Sequence, residues 1–300
     1  MDARHAHWKQ EWKMPIGNSV VTLVGYSRAA YRTGFYIPEL NVMLDAGPSS
    51  SKNPSHIFIT HAHIDHVAGL PFTLFRTDDD HIFNVIAPTQ CEFQIKKYVA
   101  SMFELNRMMT SDYDPYTDLY HFHGHSTPGS HRMTFKKNQY EVDIVLCDHS
   151  VPTISYCFSE LRIKLKPEYA GLSGSEIRRI KSSSSTSITY EKKIPAFAYI
   201  CDTTTQVLDN YPCILHFPVV IIECTFLYED EVGQADSTQH IHWKLLEPYI
   251  LANPFVTFVL IHFSMRYSEE EILQFFCDVV RRTGIRNIKV WAGDTTKDIK

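Results

Sequence analysis

The sequence predicts an α/β protein in which strands and helices alternate around one large apolar core. The chain has 300 residues, of which 44% are hydrophobic, so it can bury such a core without dividing into separate domains. Apolar runs at 196–201 and at 255–261, the second interrupted only by Thr257, are typical of strands that are buried on both faces. Segment 269–282 instead repeats its apolar residues at helical spacing. We therefore expect residues 1–300 to form a single α/β domain.

The individual elements follow from apolar patterning and from turn residues. We expect strands at 19–25, 34–37, 41–44 and 57–60, with a turn at Pro38 and Glu39. Helices are expected near 68–73, over 94–109 and over 269–282. The helix at 94–109 is predicted because its apolar residues fall mostly on one face. Those residues are Ile95, Tyr98, Val99, Met102, Phe103 and Leu105.

Composition narrows the class of protein. The net charge of −5 argues against nucleic-acid binding over the whole surface, so any such binding needs a local basic patch. Seven cysteines without a Cys-x-x-Cys pair indicate reduced thiols in a cytosolic or nuclear setting, with an organelle as a further alternative. The N-terminus has no apolar leader, and no stretch approaches the ~20 apolar residues of a membrane span. We expect a soluble cytoplasmic protein without a membrane partner.

Residues 61–66 contain the densest run of metal-competent side chains. His61, His63, Asp65 and His66 follow directly after an apolar run at 57–59. Imidazole nitrogens and a carboxylate oxygen suit zinc and similar metals, and a strand that ends in a tight loop aims alternate side chains into one cavity. The alternative is a histidine-rich surface loop, which rarely has an aspartate at this spacing behind a buried strand. The segment therefore predicts a metal site.

This run matches every position of the His-x-His-x-Asp-His signature of the metallo-β-lactamase superfamily, which the chain therefore resembles. The resemblance implies a four-layer αβ/βα sandwich. It also implies two Zn²⁺ ions, with Mn²⁺ or Fe²⁺ as alternatives. His61 and His63 would hold one ion, and Asp65 and His66 the other. Asp65 would in addition orient the attacking water or take its proton.

The same resemblance implies two more histidine ligands and a carboxylate that bridges the ions. His149 follows a β-like stretch, and His262 ends an apolar run, so both suit ligands at strand ends. Asp202 suits the bridging carboxylate. Asp294 is a rival, because Gly293-Asp294-Thr295 matches the family's Gly-Asp-Thr more literally, but in the family the bridging residue precedes the last histidine ligand. Cys201 stands where the family has glycine.

Residues 162–193 resemble the protruding, tRNA-gripping arm of the tRNase Z family, in particular of its short plant-type members. The sequence from 165 to 181 carries this likeness. Segment 162–193 contains eight Lys and Arg against three Glu, a net charge of +5 that suits contact with phosphates. We expect an inserted, flexible arm, with the serines at 182–185 as a flexible linker. The expected tRNA-binding residues are Lys166, Arg178, Arg179 and Lys181.

Two further motifs are similar to those of the tRNase Z family. Glu223 lies in Glu-Cys-Thr-Phe-Leu and His240 in a His-x-His pair, where the family's first histidine faces the scissile phosphate. The resemblance implies that His240 protonates the leaving ribose 3′ oxygen. Glu223 either holds His240 by a hydrogen bond or is a polar core residue. In the motif at 262–267, Ser264 and Arg266 are expected near the substrate.

The resemblance implies a zinc-dependent endoribonuclease that removes the 3′ trailer from precursor tRNA, leaves a 3′-hydroxyl on the tRNA and works as a homodimer. The main alternative is a small-molecule hydrolase of the same superfamily, acting on a cyclic nucleotide, β-lactam or thioester. Such an enzyme would share the ligands but would not need the arm. A third class is a non-catalytic RNA-binding relative, which typically loses ligands.

Two features fit the family pattern less directly. Gln239 stands where the family often has glycine before the His-x-His pair.

His121, His123 and His125 alternate, so an extended segment would place them on one face. We interpret this trio as a solvated or partly packed strand end rather than a second metal site, because no carboxylate or cysteine lies nearby at ligand spacing.

Overall fold

The computed structural model shows two facing β-sheets with helices on their outer surfaces. It describes residues 7–17, 19–75, 81–108, 119–135, 137–183 and 187–293. The strands are β1 (Gln10–Ile16), β2 (Ser19–Arg28), β3 (Arg32–Ile37), β4 (Val42–Leu44), β5 (His56–Phe58), β6 (Phe83–Pro88), β7 (Tyr120–His125), β8 (Gly129–Phe135), β9 (Asn138–Cys147), β10 (Thr153–Leu165), β11 (Thr189–Ile200), β12 (Val219–Glu223), β13 (Thr257–Ile261) and β14 (Ile288–Val290). The α-helices are α1 (Ile64–Val67), α2 (Leu70–Leu74), α3 (Glu92–Arg107), α4 (Gly174–Ser183), α5 (Gln206–Asn210), α6 (Val232–Thr238), α7 (Trp243–Ala252) and α8 (Glu269–Thr283).

Within the described ranges, each sheet has seven strands, with an antiparallel half and a parallel half. In the first sheet, β1 to β7 lie side by side in chain order, and the pairing changes from antiparallel to parallel at β4. In the second sheet, β8 to β14 also follow chain order, and the change occurs at β11. Parallel strands need crossover connections, and helices provide them for the parallel pairs other than β4 and β5, which residues 45–55 join without a helix.

Apolar side chains fill three layers between these elements. The central layer lies between the two sheets and includes the stacked rings of Phe158 and Phe197. One outer layer packs α2 and α3 against the first sheet, through residues such as Leu70 and Ile95. The other packs α7 and α8 against the second sheet, through residues such as Phe276. The expectation of a four-layer αβ/βα sandwich is therefore confirmed.

The carboxyl ends of the parallel strands point to one edge of each sheet. β9 runs in the same direction as β11, because both are antiparallel to β10. Its carboxyl end therefore reaches the same edge as those of β11, β12 and β13. In open α/β sheets, ligands bind at this edge because the loops that follow the strands meet there.

The arm leaves the second sheet at the opposite edge. β10 and β11 pair as far as Leu165 and Thr189, whereas β9 accompanies β10 only as far as Leu161. Beyond that point, the two strands form a ribbon without a third strand among the described residues. The arm is thus an extension of two core strands, which fixes its direction relative to the sheet.

The tip of the arm is helical in its described part. α4 begins with a capping box, in which Ser173 Oγ accepts the Glu176 N–H and the Glu176 carboxylate accepts the Ser173 N–H. The expectation of a flexible linker is wrong for Ser182 and Ser183, which belong to α4. The Ser182 hydroxyl donates to the backbone carbonyl of Arg179 in the last turn of this helix. The remaining two serines of 182–185 lie outside the described residues.

The structure departs from the sequence predictions in three further places. The edge strand β1 was not predicted, although its buried residues Met14 and Ile16 alternate with exposed ones. The helix expected near 68–73 is α2, which begins after Gly69, where the backbone of Pro48 leaves no room for a Cβ; the short α1 before it was not predicted. Leu105 of α3 is 66% exposed rather than on the buried face. The helices of the described chain are all too short or too polar to span a lipid bilayer.

Candidate metal centre

The loop after β5 carries His61 and His63, and α1 carries Asp65 and His66, to the carboxyl edge of the first sheet. His61 and His66 are fully buried, Asp65 is buried, and His63 is half-buried. His61 Nε2 lies 3.0 Å from His63 Nδ1. α1 turns the chain back, so that the rings of His61 and His66 lie 4.1 Å apart between centroids. All four side chains of the signature therefore surround one small volume.

Donors from three loops form a first candidate ion site. His61, His63, His149 and Asp202 each offer one donor atom, and these atoms all lie within 4.8 Å of one another. Asp202 Oδ2 lies 3.4 Å from His61 Nε2 and 3.8 Å from His149 Nε2. Three imidazoles with one carboxylate form a ligand set that suits Zn²⁺.

A second group lies on the other side of Asp202. Asp202 Oδ2 is 3.4 Å from His66 Nε2, and Asp202 Oδ1 is 3.3 Å from His262 Nε2. Asp65 Oδ2 lies 3.6 Å from both of these histidine nitrogens. Cys201 also offers its sulfur to this group. Asp202 therefore belongs to both groups that the described residues form.

The donor chemistry fits a metal site. Asp65 and Asp202 are buried carboxylates whose ionic contacts within the described part of the chain are with histidines. Burial raises the pKa of Asp202, but His262, His66 and His61 outweigh it and hold the pKa well below its usual range. Burial keeps the pKa of His61 well below its usual value, which favours the unprotonated ring that binds metal. Two buried carboxylates beside imidazole nitrogens form a site in which a cation is stabilised.

Asp45 orients the second group, although the sequence analysis did not single it out. Its Oδ2 lies 2.9 Å from His66 Nδ1 and accepts the hydroxyl of Tyr199 at 2.7 Å, while Oδ1 accepts the backbone N–H of Thr60 at 2.8 Å. Because Nδ1 is held, Nε2 of His66 faces the other donors. Burial lowers the pKa of His66, but Asp202 and Asp45 outweigh it and raise the pKa well above its usual value.

Three of these residues have left-handed backbone conformations at strand ends. The φ angles are 53° at Asp45, 50° at Asp202 and 64° at His262. Such values are uncommon for residues other than glycine and concentrate at functional sites. The sharp turns aim Asp202 and His262 toward the donor groups and Asp45 toward Nδ1 of His66. Cys201, which replaces the family's glycine, is not among the residues with positive φ, so this departure does not strain the turn.

Hydrogen bonds link the fully buried Glu223 to two histidines. The Thr225 hydroxyl donates to Glu223 Oε2 at 2.6 Å and lies 3.1 Å from Nδ1 of His262, from which it can accept. This leaves Nε2 of His262 facing the donors. Glu223 Oε1 lies 2.9 Å from Nδ1 of His240 and accepts the Thr203 N–H at 2.7 Å. Glu223 is thus both a core residue and a hydrogen-bond partner of His240, so the two interpretations of the sequence apply together.

His240 lies beside both donor groups. Its ring centroid is 5.0 Å from that of His149 and 5.4 Å from that of His262. Burial lowers the pKa of His240, but the Glu223 carboxylate outweighs it and raises the pKa to about 9. Gln239, in place of the family's glycine, adopts a φ of 55°, and its carbonyl lies 3.3 Å from Nδ1 of His149. With glutamine at this position, His149 and His240 are therefore still oriented toward the site.

Ser264 and Arg266 follow His262 in a loop at the rim of the site. The backbone N–H of Ser264 donates to the Thr225 carbonyl at 3.0 Å. Arg266 pairs with Glu231 at 2.9 Å, and its guanidinium lies over the ring of Phe226. The Arg266 side chain is nevertheless 46% exposed, so part of its surface is open to a ligand.

The remaining sequence candidates lie apart from the donor groups. His242 is buried with Nε2 2.7 Å from the Tyr228 carbonyl, and its ring caps the start of α7. The alternating trio lies on β7, where His123 contacts Asn84, and it is absent from the donor groups that the described residues form. Asp294 lies outside the described residues. The expected tRNA-binding residues of the arm are at the opposite edge of the sheet: Lys166, Arg178, Arg179 and Lys181.

Two facing mixed sheets between helical layers, with donor clusters at the strand ends, define a protein of the metallo-β-lactamase fold. Solved structures support this class over nearly the whole chain. The metallo-β-lactamase fold protein YhfI from Bacillus subtilis has a TM-score of 0.51 and 11% identity, covering 96% of each chain. Unliganded yeast PDE1 has a TM-score of 0.52 and 9% identity, covering 95% of this chain and 96% of its own. At such identities, the likeness concerns the fold alone.

Sequence relatives identify the family. The chain is 31% identical over 259 residues to the chloroplastic tRNase Z TRZ2 of Arabidopsis thaliana, covering 83% of this chain and 69% of the relative. It is 30% identical over 255 residues to tRNase Z TRZ1 of the same plant, covering 83% and 87%. No protein-family model matches the sequence. The chain belongs to the tRNase Z family, which confirms the expectation from its motifs.

Proposed function

We propose that the protein is a metal-dependent endoribonuclease that removes the 3′ trailer from precursor tRNA. The observation that carries this proposal is the position of Asp202 between two donor groups, with the Glu223–His240 pair beside both. The family of the chain points to the same substrate. A hydrolytic site with a proton donor suits a leaving group that departs poorly without a proton, such as a ribose oxygen.

Seven side chains hold the metal ions in this proposal. His61, His63 and His149 bind one ion with Asp202, and Asp65, His66 and His262 bind the other with the same carboxylate. Zn²⁺ suits this set of imidazoles best, and Mn²⁺ or Fe²⁺ are alternatives. When bound, such ions would lower the pKa of water toward neutrality and offset the negative charge that develops on the phosphoryl, attacking and leaving oxygens.

Two side chains of the protein move protons in this reaction. Asp65 lies between His66 and His262, where its carboxylate orients the attacking water and accepts its proton. The water oxygen bonds to phosphorus, the bond to the ribose 3′ oxygen breaks, and His240 gives its proton to that oxygen. Because Glu223 holds Nδ1 of His240, Nε2 is the atom that donates. The products are a tRNA with a 3′-hydroxyl and a trailer with a 5′-phosphate.

The arm binds tRNA away from the chemistry. Arg178, Arg179 and Lys181 are exposed on α4, and Lys166 lies where the ribbon meets the tip. The arm and Asp202 lie at opposite ends of the 12-residue β11, which spans about 40 Å at ~3.3 Å per residue. This separation supports a homodimer in which the arm of one subunit grips the tRNA that the other subunit cleaves. Ser264 and Arg266 contact the substrate at the site itself.

A comparison of substrates tests this proposal. The purified, zinc-loaded protein is offered a precursor tRNA, a cyclic nucleotide, a β-lactam and a thioester, and turnover of each is measured with and without a chelator. We expect chelator-sensitive cleavage of the precursor tRNA at a far higher kcat/KM than for the other three. Efficient turnover of a small substrate without tRNA cleavage would overturn the proposal. We place this activity in the cytoplasm, and the chloroplastic relative makes an organelle the alternative compartment.

A further inference from the structure

We propose that Cys201 is a thiolate ligand of the second ion site, beside His66, Asp202 and His262. This inference rests on the proposed two-ion centre and adds a donor that the family's glycine cannot supply. The second ion site would then contain one soft sulfur ligand beside its nitrogen and oxygen donors. The metal preference of this chain then differs from that of relatives with glycine at the same position.

The sulfur lies at donor spacing from the other ligands. Donor atoms of Cys201, His66, Asp202 and His262 all lie within 4.8 Å of one another. Donors around a tetrahedral Zn²⁺ with bonds of about 2.0–2.3 Å lie roughly 3.3–3.8 Å apart. The contacts of Asp202 Oδ1 with Cys201 Sγ, at 3.1 Å, and with His262 Nε2, at 3.3 Å, are close to this spacing.

The orientation of Cys201 supports ligation of the second ion rather than the first. Sγ lies 3.1 Å from Asp202 Oδ1, and that same oxygen lies 3.3 Å from His262 Nε2. Asp202 Oδ2, the oxygen that reaches the first group, lies 3.4 Å from Nε2 of both His61 and His66. The Cys201 side chain is fully buried, so it approaches the ion from the protein interior and leaves the solvent side of the cavity to substrate.

A neighbouring cysteine provides a matched comparison. The chain has seven cysteines. Cys224 is as deeply buried as Cys201 and is also adjacent in sequence to an acidic residue of the site, Glu223. Its sulfur belongs to none of the donor groups that the described residues form. Replacing Cys224 therefore reproduces the loss of a buried thiol without the loss of a ligand.

Cobalt reports directly on sulfur ligation, because Co²⁺ bound to a thiolate absorbs in the near ultraviolet by charge transfer from sulfur. The metal-free protein is loaded with Co²⁺, the bound metal is counted, and the spectrum is recorded for the wild type and for three variants. We expect the band in the wild type and in Cys224→Ala. We expect it to be lost in Cys201→Ala and in Cys201→Gly, which carries the family residue.

Metal competition gives a second readout that does not depend on activity. Thiolates favour Zn²⁺ over the harder Mn²⁺. The ratio of Zn²⁺ to Mn²⁺ affinity at the second site should fall by roughly 10-fold or more in Cys201→Gly and stay unchanged in Cys224→Ala. An unchanged ratio in Cys201→Gly contradicts the inference.

The outcomes separate this inference from the proposed function. Two bound Co²⁺ ions without the near-ultraviolet band in the wild type would leave the metal centre intact and overturn the thiolate, reducing Cys201 to a hydrogen-bond donor to Asp202. A band that survives in Cys201→Ala overturns it as well, because another sulfur is then the ligand. Failure of the wild type to bind Co²⁺ overturns the metal centre and the thiolate ligand together.

Discussion

Glu223 Oε1 lies 2.9 Å from His240 Nδ1, and the carboxylate that makes this contact has no exposed surface. The contact joins Glu223, in the buried core of the second sheet, to His240, which lies beside both donor groups. Because Nδ1 is held by the carboxylate, the ring has a fixed orientation and its other nitrogen remains for the substrate. The protonation of His240 therefore depends on Glu223.

Replacing Glu223 by glutamine should move the pH dependence of cleavage. A general acid works in its protonated form, so the rate falls as pH rises through its pKa. With Glu223 in place, the pKa of His240 is about 9, and the alkaline fall is expected near that pH. In Glu223→Gln, the neutral amide no longer stabilises the imidazolium, so the fall should shift to lower pH. The profile of kcat on precursor tRNA measures this, and coincident profiles would contradict it.

His240→Ala should lower cleavage of precursor tRNA by about 10²–10⁴-fold, because a ribose oxygen leaves poorly without a proton. Hydrolysis of bis(p-nitrophenyl) phosphate, whose leaving group needs no proton, should change little. Metal content should not change. His242→Ala is the control: it removes the ring that caps α7 and should cost about 1 kcal/mol of stability while largely sparing the cleavage rate. Loss of metal in His240→Ala would make His240 a ligand instead.

Asp202→Ala should remove much of the affinity for both ions, because this one carboxylate contacts both donor groups. Metal analysis of the purified variant, beside the wild type at near two ions per chain, measures the loss. Asp294→Ala is the natural comparison, since Asp294 lies in the more literal Gly-Asp-Thr sequence. It should leave the metal content unchanged. Equal losses from the two substitutions would show that the bridging residue is misassigned.

A shortened arm should separate tRNA binding from chemistry. Leu165 and Thr189 are directly paired, so a two-residue Asn-Gly turn can replace residues 166–188 and close the ribbon. This variant should lose precursor-tRNA cleavage and keep hydrolysis of bis(p-nitrophenyl) phosphate. A milder variant, with Arg178, Arg179 and Lys181 changed to alanine, should bind tRNA with a shallower salt dependence.

A control for the milder variant is available on α8. Arg281 and Arg282 are exposed in its last turn, and their replacement by alanine removes positive charge outside the arm. The salt dependence of tRNA binding should then be close to that of the wild type. If the variant with the shortened arm cleaves precursor tRNA at the full rate, the arm is not the tRNA-binding element, and a small-molecule substrate is favoured.

The ligand candidates could be found from sequence because each follows an apolar run that ends abruptly. His149, Asp202 and His262 lie after β9, β11 and β13, whose carboxyl ends meet at one edge. Asp45 was missed, although it follows β4 in the same way. Its role depends on β4 lying beside β5, which places it next to Thr60 and His66. Such pairing between strands is not encoded in local spacing.

The arm shows a similar division between local and long-range information. Its charge and its family likeness were visible in the sequence, and the capping box of Ser173 and Glu176 could have predicted the start of α4. The length of its ribbon depends on where β9 stops accompanying β10, at Leu161. The position of Cys201 relative to His66 and His262 also required the fold, because these residues come from both sheets and meet only at their shared edge.

The decisive measurement is the position and chemistry of the cut that the zinc-loaded protein makes in a precursor tRNA. We expect one cut at the junction with the 3′ trailer, a 3′-hydroxyl on the tRNA and a 5′-phosphate on the trailer, with no product from Asp202→Ala. These ends follow from attack by water and departure of the ribose 3′ oxygen. Cuts scattered along the tRNA, or tRNA ends that carry a cyclic phosphate, would contradict the proposed function.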